Sequence, residues 1–217
     1  MSLTHTTAVR SVLADAVCNS STGQLGSNFS TKLYSGIVLS GTVSISNGTA
    51  NVTGSGTSWQ TNTLLAQNQW VVFATDTTKT PYQINTVTSD TACTLKTNYT
   101  GTTLSGSNIW ASPLNASGSL SPGTGTSAGA AVASTITNCN FGSASSGVST
   151  LTSSTSDTSA TGGTVIFGRM LTSGGTACVQ FIISPTGNGG DMTMNTTVIA
   201  SGATVGFSGT NTYTAPL

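Results

Sequence analysis

Between Gly41 and Trp59 the chain alternates apolar and polar residues on both sides of an Asn-Gly pair, and this pattern narrows the possible folds more than any other feature of the sequence. Asn47-Gly48 is the preferred dipeptide for a two-residue type I′ turn. A turn there pairs Ser46 with Thr49, Ile45 with Ala50, Ser44 with Asn51 and Val43 with Val52. Val43, Ile45, Ala50 and Val52 then share one face, and Thr42, Ser44, Ser46, Thr49, Asn51 and Thr53 share the other. Such a segment is a hairpin with one buried side.

The same texture recurs. Short bursts of Val, Ile, Leu and Thr are separated by Gly, Asn and Ser, the punctuation of an all-β protein. Further strands are expected at Lys32-Leu33-Tyr34, Ile37–Leu39, Gln69–Phe73, Tyr82–Val87, Ala92–Leu95 and near Ile109-Trp110. Beyond these they are expected at Ser134–Phe141, Thr164–Leu171, Thr176–Ser184, Asp191–Ile199 and Thr204–Ser208. One segment departs from the pattern: Val9, Val12, Leu13 and Ala16 fall at i, i+3, i+4 and i+7, which predicts a short helix with one apolar stripe packed on a sheet. Thr4 or Thr6 is placed to cap its start.

The stretch from Ser112 to Gly129 is rich in Gly, Ser, Pro and Ala without apolar periodicity and reads as a linker, taken as residues 113–129. The strand material before Gly41 has no complete sheet of its own. Residues 1–39 and 130–217 are therefore expected to form one discontinuous β-sandwich domain with the N-terminal helix, and residues 40–112 an inserted small β-module. The fold class is mainly β, with two β-sandwich-like units and one short helix.

Only 5% of the 217 residues are charged, against roughly 25% in an ordinary domain, and glutamate is absent. With 36% hydrophobic residues and zero net charge, the chain lacks the signature of disorder. Arg10, Lys32, Lys79, Lys96 and Arg169 are scattered in sequence, which argues against a phosphate-binding surface, so no nucleic acid is expected as partner. No apolar run approaches the roughly 20 residues that span a bilayer, and Met-Ser-Leu-Thr-His has no secretory character, so synthesis in a cytoplasm and no membrane partner are expected. Cys18, Cys93, Cys139 and Cys178 lie far apart with a single histidine, His5. Their spacing does not suit zinc, and their apolar neighbours point to buried free thiols. No cofactor or metal is expected.

Catalytic chemistry finds few candidates. A glycosidase needs two facing carboxylates, and the available ones are Asp15, Asp76, Asp90, Asp157 and Asp191. Asp90 and Asp157 sit at strand boundaries, where an aspartate folds back on backbone amides as an Asx turn. A triad built on His5 lacks any nucleophile context, and Gly187-Asn188-Gly189-Gly190 is not followed by a phosphate-binding helix. No catalytic residue is assigned, and the chain is read as not an enzyme. Trp59, Trp70 and Trp110 all lie in the middle module. They fill its core or, exposed, stack on a sugar. The Asn-x-Ser/Thr triplets at Asn28, Asn51, Asn98 and Asn195 are expected by chance at this composition.

Two resemblances bear on role. Gly41 to Trp59, with Gln69–Phe73 and Thr88–Leu95, resembles a small β-module that recurs in tailed-phage virion proteins, including tail fibres. The flanking parts resemble a family of small tailed-phage head proteins. The matching residues are His5-Thr6-Thr7-Ala8-Val9-Arg10, Ser156–Thr164, Gly189-Gly190-Asp191 and Tyr213-Thr214-Ala215-Pro216. That family implies a capsid decoration or cement protein on the outer shell of a bacteriophage virion. Its partners are then the major capsid protein and, at local threefold positions, two further copies in a homotrimer. The resemblance carries over no catalytic residue and leaves the capsid-contact residues unknown. The alternative is a tail-fibre or receptor-binding module that recognises host surface glycans through an exposed tryptophan.

Overall fold

The computed structural model describes residues 7–18, 23–62, 65–112, 132–188 and 191–214, with side chains from Ser11 onward. Thr4, His5, Thr6 and the expected linker at 113–129 lie outside these residues, as does the Gly189-Gly190 pair. Helix α1 (Thr7–Cys18) stands where the periodicity placed it. Its last turn is closed by Gln24 and Leu25, whose amides donate to the carbonyls of Ala16 and Val17 at 2.8 and 2.9 Å.

The face by which the helix packs is not the expected one. Ala14 and Cys18 are fully buried, while Val12 is 67% and Leu13 38% exposed. The inner side approaches with small residues and two hydrogen-bonding groups: Gly147 N donates to Ser11 Oγ at 2.9 Å and Ala144 N to Asp15 Oδ1 at 2.7 Å. These bonds satisfy loop amides that an apolar stripe would leave unpaired. The stripe of Val12, Leu13 and Ala16 therefore turns outward.

Strand β1 (Phe29–Ser35) follows, and then the chain builds a separate sheet. That middle sheet takes β2 (Ile37–Val38), β3 (Thr42–Ile45), β4 (Asn51–Ser55), β5 (Trp70–Phe73), β6 (Tyr82–Ser89), β7 (Ala92–Leu95), β8 (Leu104–Ser107) and β9 (Ile109–Ala111). Their order is β2-β9-β5-β6-β7-β4-β3-β8. The change of sheet falls at Gly36, earlier than the change of sequence texture at Gly41, because Ile37 and Val38 pair with Ala111 and Trp110. Trp59, Phe73, Tyr82, Ile84 and Tyr99 fill its core. Tyr99 meets the ring of Phe73 edge-on, with centroids 5.4 Å apart.

The hairpin at Asn47-Gly48 keeps its faces but not its register. Val43 lies opposite Gly54, and Ser44 opposite Thr53, a shift of two residues from the expected pairing. A type I′ turn needs positive φ at both central residues. Only Gly48 has it here, at 79°. The tip instead pairs with a neighbouring loop: Gly48 N donates to Tyr99 O at 2.8 Å, and Asn47 Nδ2 reaches Thr100 O and Gly101 O. A shift of two preserves parity, so Val43, Ile45 and Val52 are all buried as expected.

The first sheet is completed by β10 (Val132–Phe141), β11 (Val148–Thr155), β12 (Gly163–Leu171), β13 (Ala177–Pro185), β14 (Met192–Met194), β15 (Val198–Ile199) and β16 (Thr212–Thr214). Its order is β14-β13-β12-β1-β10-β11-β16, with β15 added to β12. β1 thus lies at its centre, antiparallel to both β10 and β12. The expected strand over Asp191–Ile199 splits into β14 and β15. Thr204–Ser208 forms no named strand, and Val205 makes only an isolated bridge to Asp157. The described residues are mainly β, with two eight-stranded sheets and one short helix.

A third cluster joins the two units. Tyr34, Ile166, Phe167 and Ile182 of the first sheet bury themselves against Val72, Trp70 and Trp110 of the middle one. Tyr34 and Phe167 stack at 4.9 Å, and the Arg169 guanidinium lies over both rings. Lys79 sits over Trp110 and donates to Ala74 O, while Asn188 Nδ2 donates to Thr78 O at 2.9 Å. Gly36 is closely packed within this joint. A Cβ there would stand 2.6 Å from Ile166 Cδ1 and 2.7 Å from Trp110 Cβ.

Candidate functional site

The carboxylates are all engaged in holding backbone. Asp90 accepts from the amides of Gln60 and Thr61, each at 2.7 Å, and from Thr61 Oγ1 at 2.5 Å. It does not fold back on its own turn as expected. It caps a turn about thirty residues away, and Ser89 Oγ takes the local amide of Thr91 instead. Asp157 does bind locally, to Ser159 N at 3.0 Å, but it also accepts from Thr135 N at 2.9 Å and Ser134 Oγ at 2.8 Å. Asp76 holds Thr78, Asp191 holds the amide of Ile182 at 2.8 Å, and Asp15 holds Ala144.

These bonds set the ionisation of two of the carboxylates. The Thr61 hydroxyl, then the Thr61 and Gln60 amides, keep Asp90 below the ordinary carboxylate range against a smaller opposing effect of burial. The amides of Thr135 and Ser159 do the same for Asp157, helped by the Ser134 hydroxyl. Among the described residues no three His, Cys, Asp or Glu side chains come together as a metal-binding group. No described helix is long and apolar enough to cross a membrane.

All four cysteines are free, and Cys18, Cys93 and Cys139 are buried. Burial pushes the Cys18 and Cys93 thiols up to about 12, with Asp15 adding to the effect at Cys18. Cys178 is only half-buried. Trp59 is fully buried in the middle core, and Trp70 and Trp110 are half-buried against the joint. The cations are less scattered in space than in sequence: Lys32 stands directly opposite Arg169 across the β1–β12 pairing. Arg169 is nearly buried and donates Nε to Gln180 Oε1 at 3.0 Å.

Two surface features remain as candidates for function. The first is the outward stripe of α1. Among the described residues four large apolar side chains are exposed, Val12, Leu13, Val38 and Val198, and two of them are neighbours on this helix. The second is a cleft of about 440 Å³ between the inner face of the first sheet and the segment from Met192 to Asn211. The periodicity that revealed α1 was legible in sequence, although its direction was not. The cleft gave no signal, because most of the segment that walls it reads in sequence as two further strands of the sheet. Comparison of the chain with family models, with curated proteins and with solved structures returned no match.

Proposed function

We propose that the protein is a non-enzymatic structural component of a tailed-phage virion, a capsid decoration or cement protein that binds the outer surface of the major capsid protein shell. The observation that carries this reading is the outward apolar stripe of α1, where Val12 is 67% exposed on a helix whose other face is anchored by Ser11 and Asp15. A fixed helix presenting apolar groups suits lasting contact with another protein surface. The sequence resemblance to small head proteins supplies the partner. Engagement of the carboxylates in backbone bonds is in keeping with a scaffold role, since such groups are poorly placed to move protons. A homotrimer rests on the resemblance.

The glycan-recognition alternative relied on an exposed tryptophan, and the positions of Trp59, Trp70 and Trp110 lend it no support. The test is attachment to phage heads stripped of this protein. Wild-type chain should rebind in hundreds of copies per head and restore thermal resistance, whereas the double variant Val12→Ser, Leu13→Ser should fold normally and fail to rebind. Binding of the wild type at a few copies, or confined to tails, would sink the proposal.

A further inference from the structure

We infer that the cleft of the first sheet is a binding site for a small uncharged ligand with an apolar body and a hydroxyl-bearing end. Its volume of about 440 Å³ lies within the range of small-molecule sites. Buried Leu33, Ile136, Ile199 and Val205 contribute to its lining, and half-buried Met192, Met194, Ala203 and Phe207 add to the apolar part. Exposed hydroxyl and amide groups of Thr193, Asn195, Thr204 and Ser208 also line it and are available to a polar end.

Charge decides the class of ligand. Among the described residues none that lines the cleft is ionisable, so a charged ligand would lose hydration with no counter-ion from them in return. A smaller adjoining cavity of about 190 Å³ shares Met192, Thr193, Phe207 and Asn211 with the cleft and adds Asp191 to its lining. That carboxylate further disfavours an anion. The wall is also adaptable. β14 is three residues long and among the described residues pairs with β13 alone, and its two thioether side chains repack easily around different shapes.

The experiment compares n-octanol with octanoate, which match in chain length and differ in charge, by following backbone amide resonances of the full chain. Octanol should shift resonances confined to the segment from Met192 to Asn211 and to Leu33 and Ile136, and octanoate should bind at least about tenfold more weakly. Ala203→Leu, which fills the cleft, should abolish the octanol shifts. Thr204→Lys, which puts a cation at an exposed lining position, should strengthen octanoate relative to octanol and narrow the gap between them, which keeps the test available if the first variant folds poorly. Absent or dispersed shifts with octanol, or equal binding of octanoate by the wild type, would overturn the inference. Binding of maltotriose without octanol would also overturn it, by showing that the site takes a polar body.

Discussion

The two sheets draw on the same uncharged residues, yet the middle one closes around its core while the first leaves a cleft. In the middle sheet the space is filled by fully buried rings, with Trp59, Phe73, Tyr82 and Tyr99 in one cluster. Its loops are tied across the unit by Asp90 and Asn47. In the first sheet the corresponding positions near the C-terminal end fall to Met192, Met194 and Tyr213 on strands of three residues and to Phe207 outside any strand, all only partly buried. Rigid rings held by long-range hydrogen bonds make a closed unit. Flexible side chains on short strands leave room for something else.

The largest effects should come from the closed unit. Trp59→Ala should cost about 3–5 kcal/mol in urea denaturation, whereas Met194→Ala should cost less than about 2 kcal/mol; equal losses would break the contrast. Next comes the joint. Gly36→Ala drives a methyl into Ile166 and Trp110 and should cost about 1–3 kcal/mol. It should also separate the unfolding of the two sheets into distinct calorimetric transitions, and a single unchanged transition would show that the joint does not couple them.

Acid should probe the two clamps. Asp90 and Asp157 both have folded-state values below the ordinary carboxylate value, so their ionised forms favour folding. That contribution is complete above the ordinary carboxylate range and is lost as pH falls through the depressed values. Stability should therefore be flat from neutrality down to that range and decline below it, with Asp90→Asn and Asp157→Asn each flattening part of the decline. Thiol labelling of the native protein should modify Cys178 well before Cys18 or Cys93, whose thiols are buried and pushed up to about 12. The smallest effect belongs to Val12→Ser, which should change stability by no more than about 0.5 kcal/mol because the side chain already faces outward.

How much of this was legible in the sequence follows from what each signal depends on. Alternation located β3, β7, β10, β12 and β13 because each carries buried apolar residues at a period of two or a continuous apolar run, and β4, with Val52 alone, was located as the partner of β3 across the Asn47-Gly48 turn. β11 and β16 escaped because they read as Ser and Thr with few apolar residues, and pairing holds them where side chains do not advertise it. The faces of the Asn47 hairpin were legible, but its register was set by Tyr99 and Thr100, which local pattern cannot supply. The helix shows the same limit. Its stripe was readable, but the choice to bury Ala14 and Cys18 instead was made by loop amides more than a hundred residues away. The cleft had no local mark, because it arises where the segment after Met192 fails to complete the sheet.

The pairing of Ile37 with Ala111 also bears on the order of folding. The central pair of the first sheet, β1 with β10, joins residues that are far apart along the chain, and closing so long a loop from an unfolded state is slow. The middle sheet is contiguous in sequence, from Ile37 to Ala111. Once formed, it holds Ile37 beside Ala111 and so brings Ser35 within a short tether of Val132, leaving only the segment after Ala111 to be closed. With the middle sheet formed, the pairing of β1 with β10 closes a shorter loop than it would from an open chain.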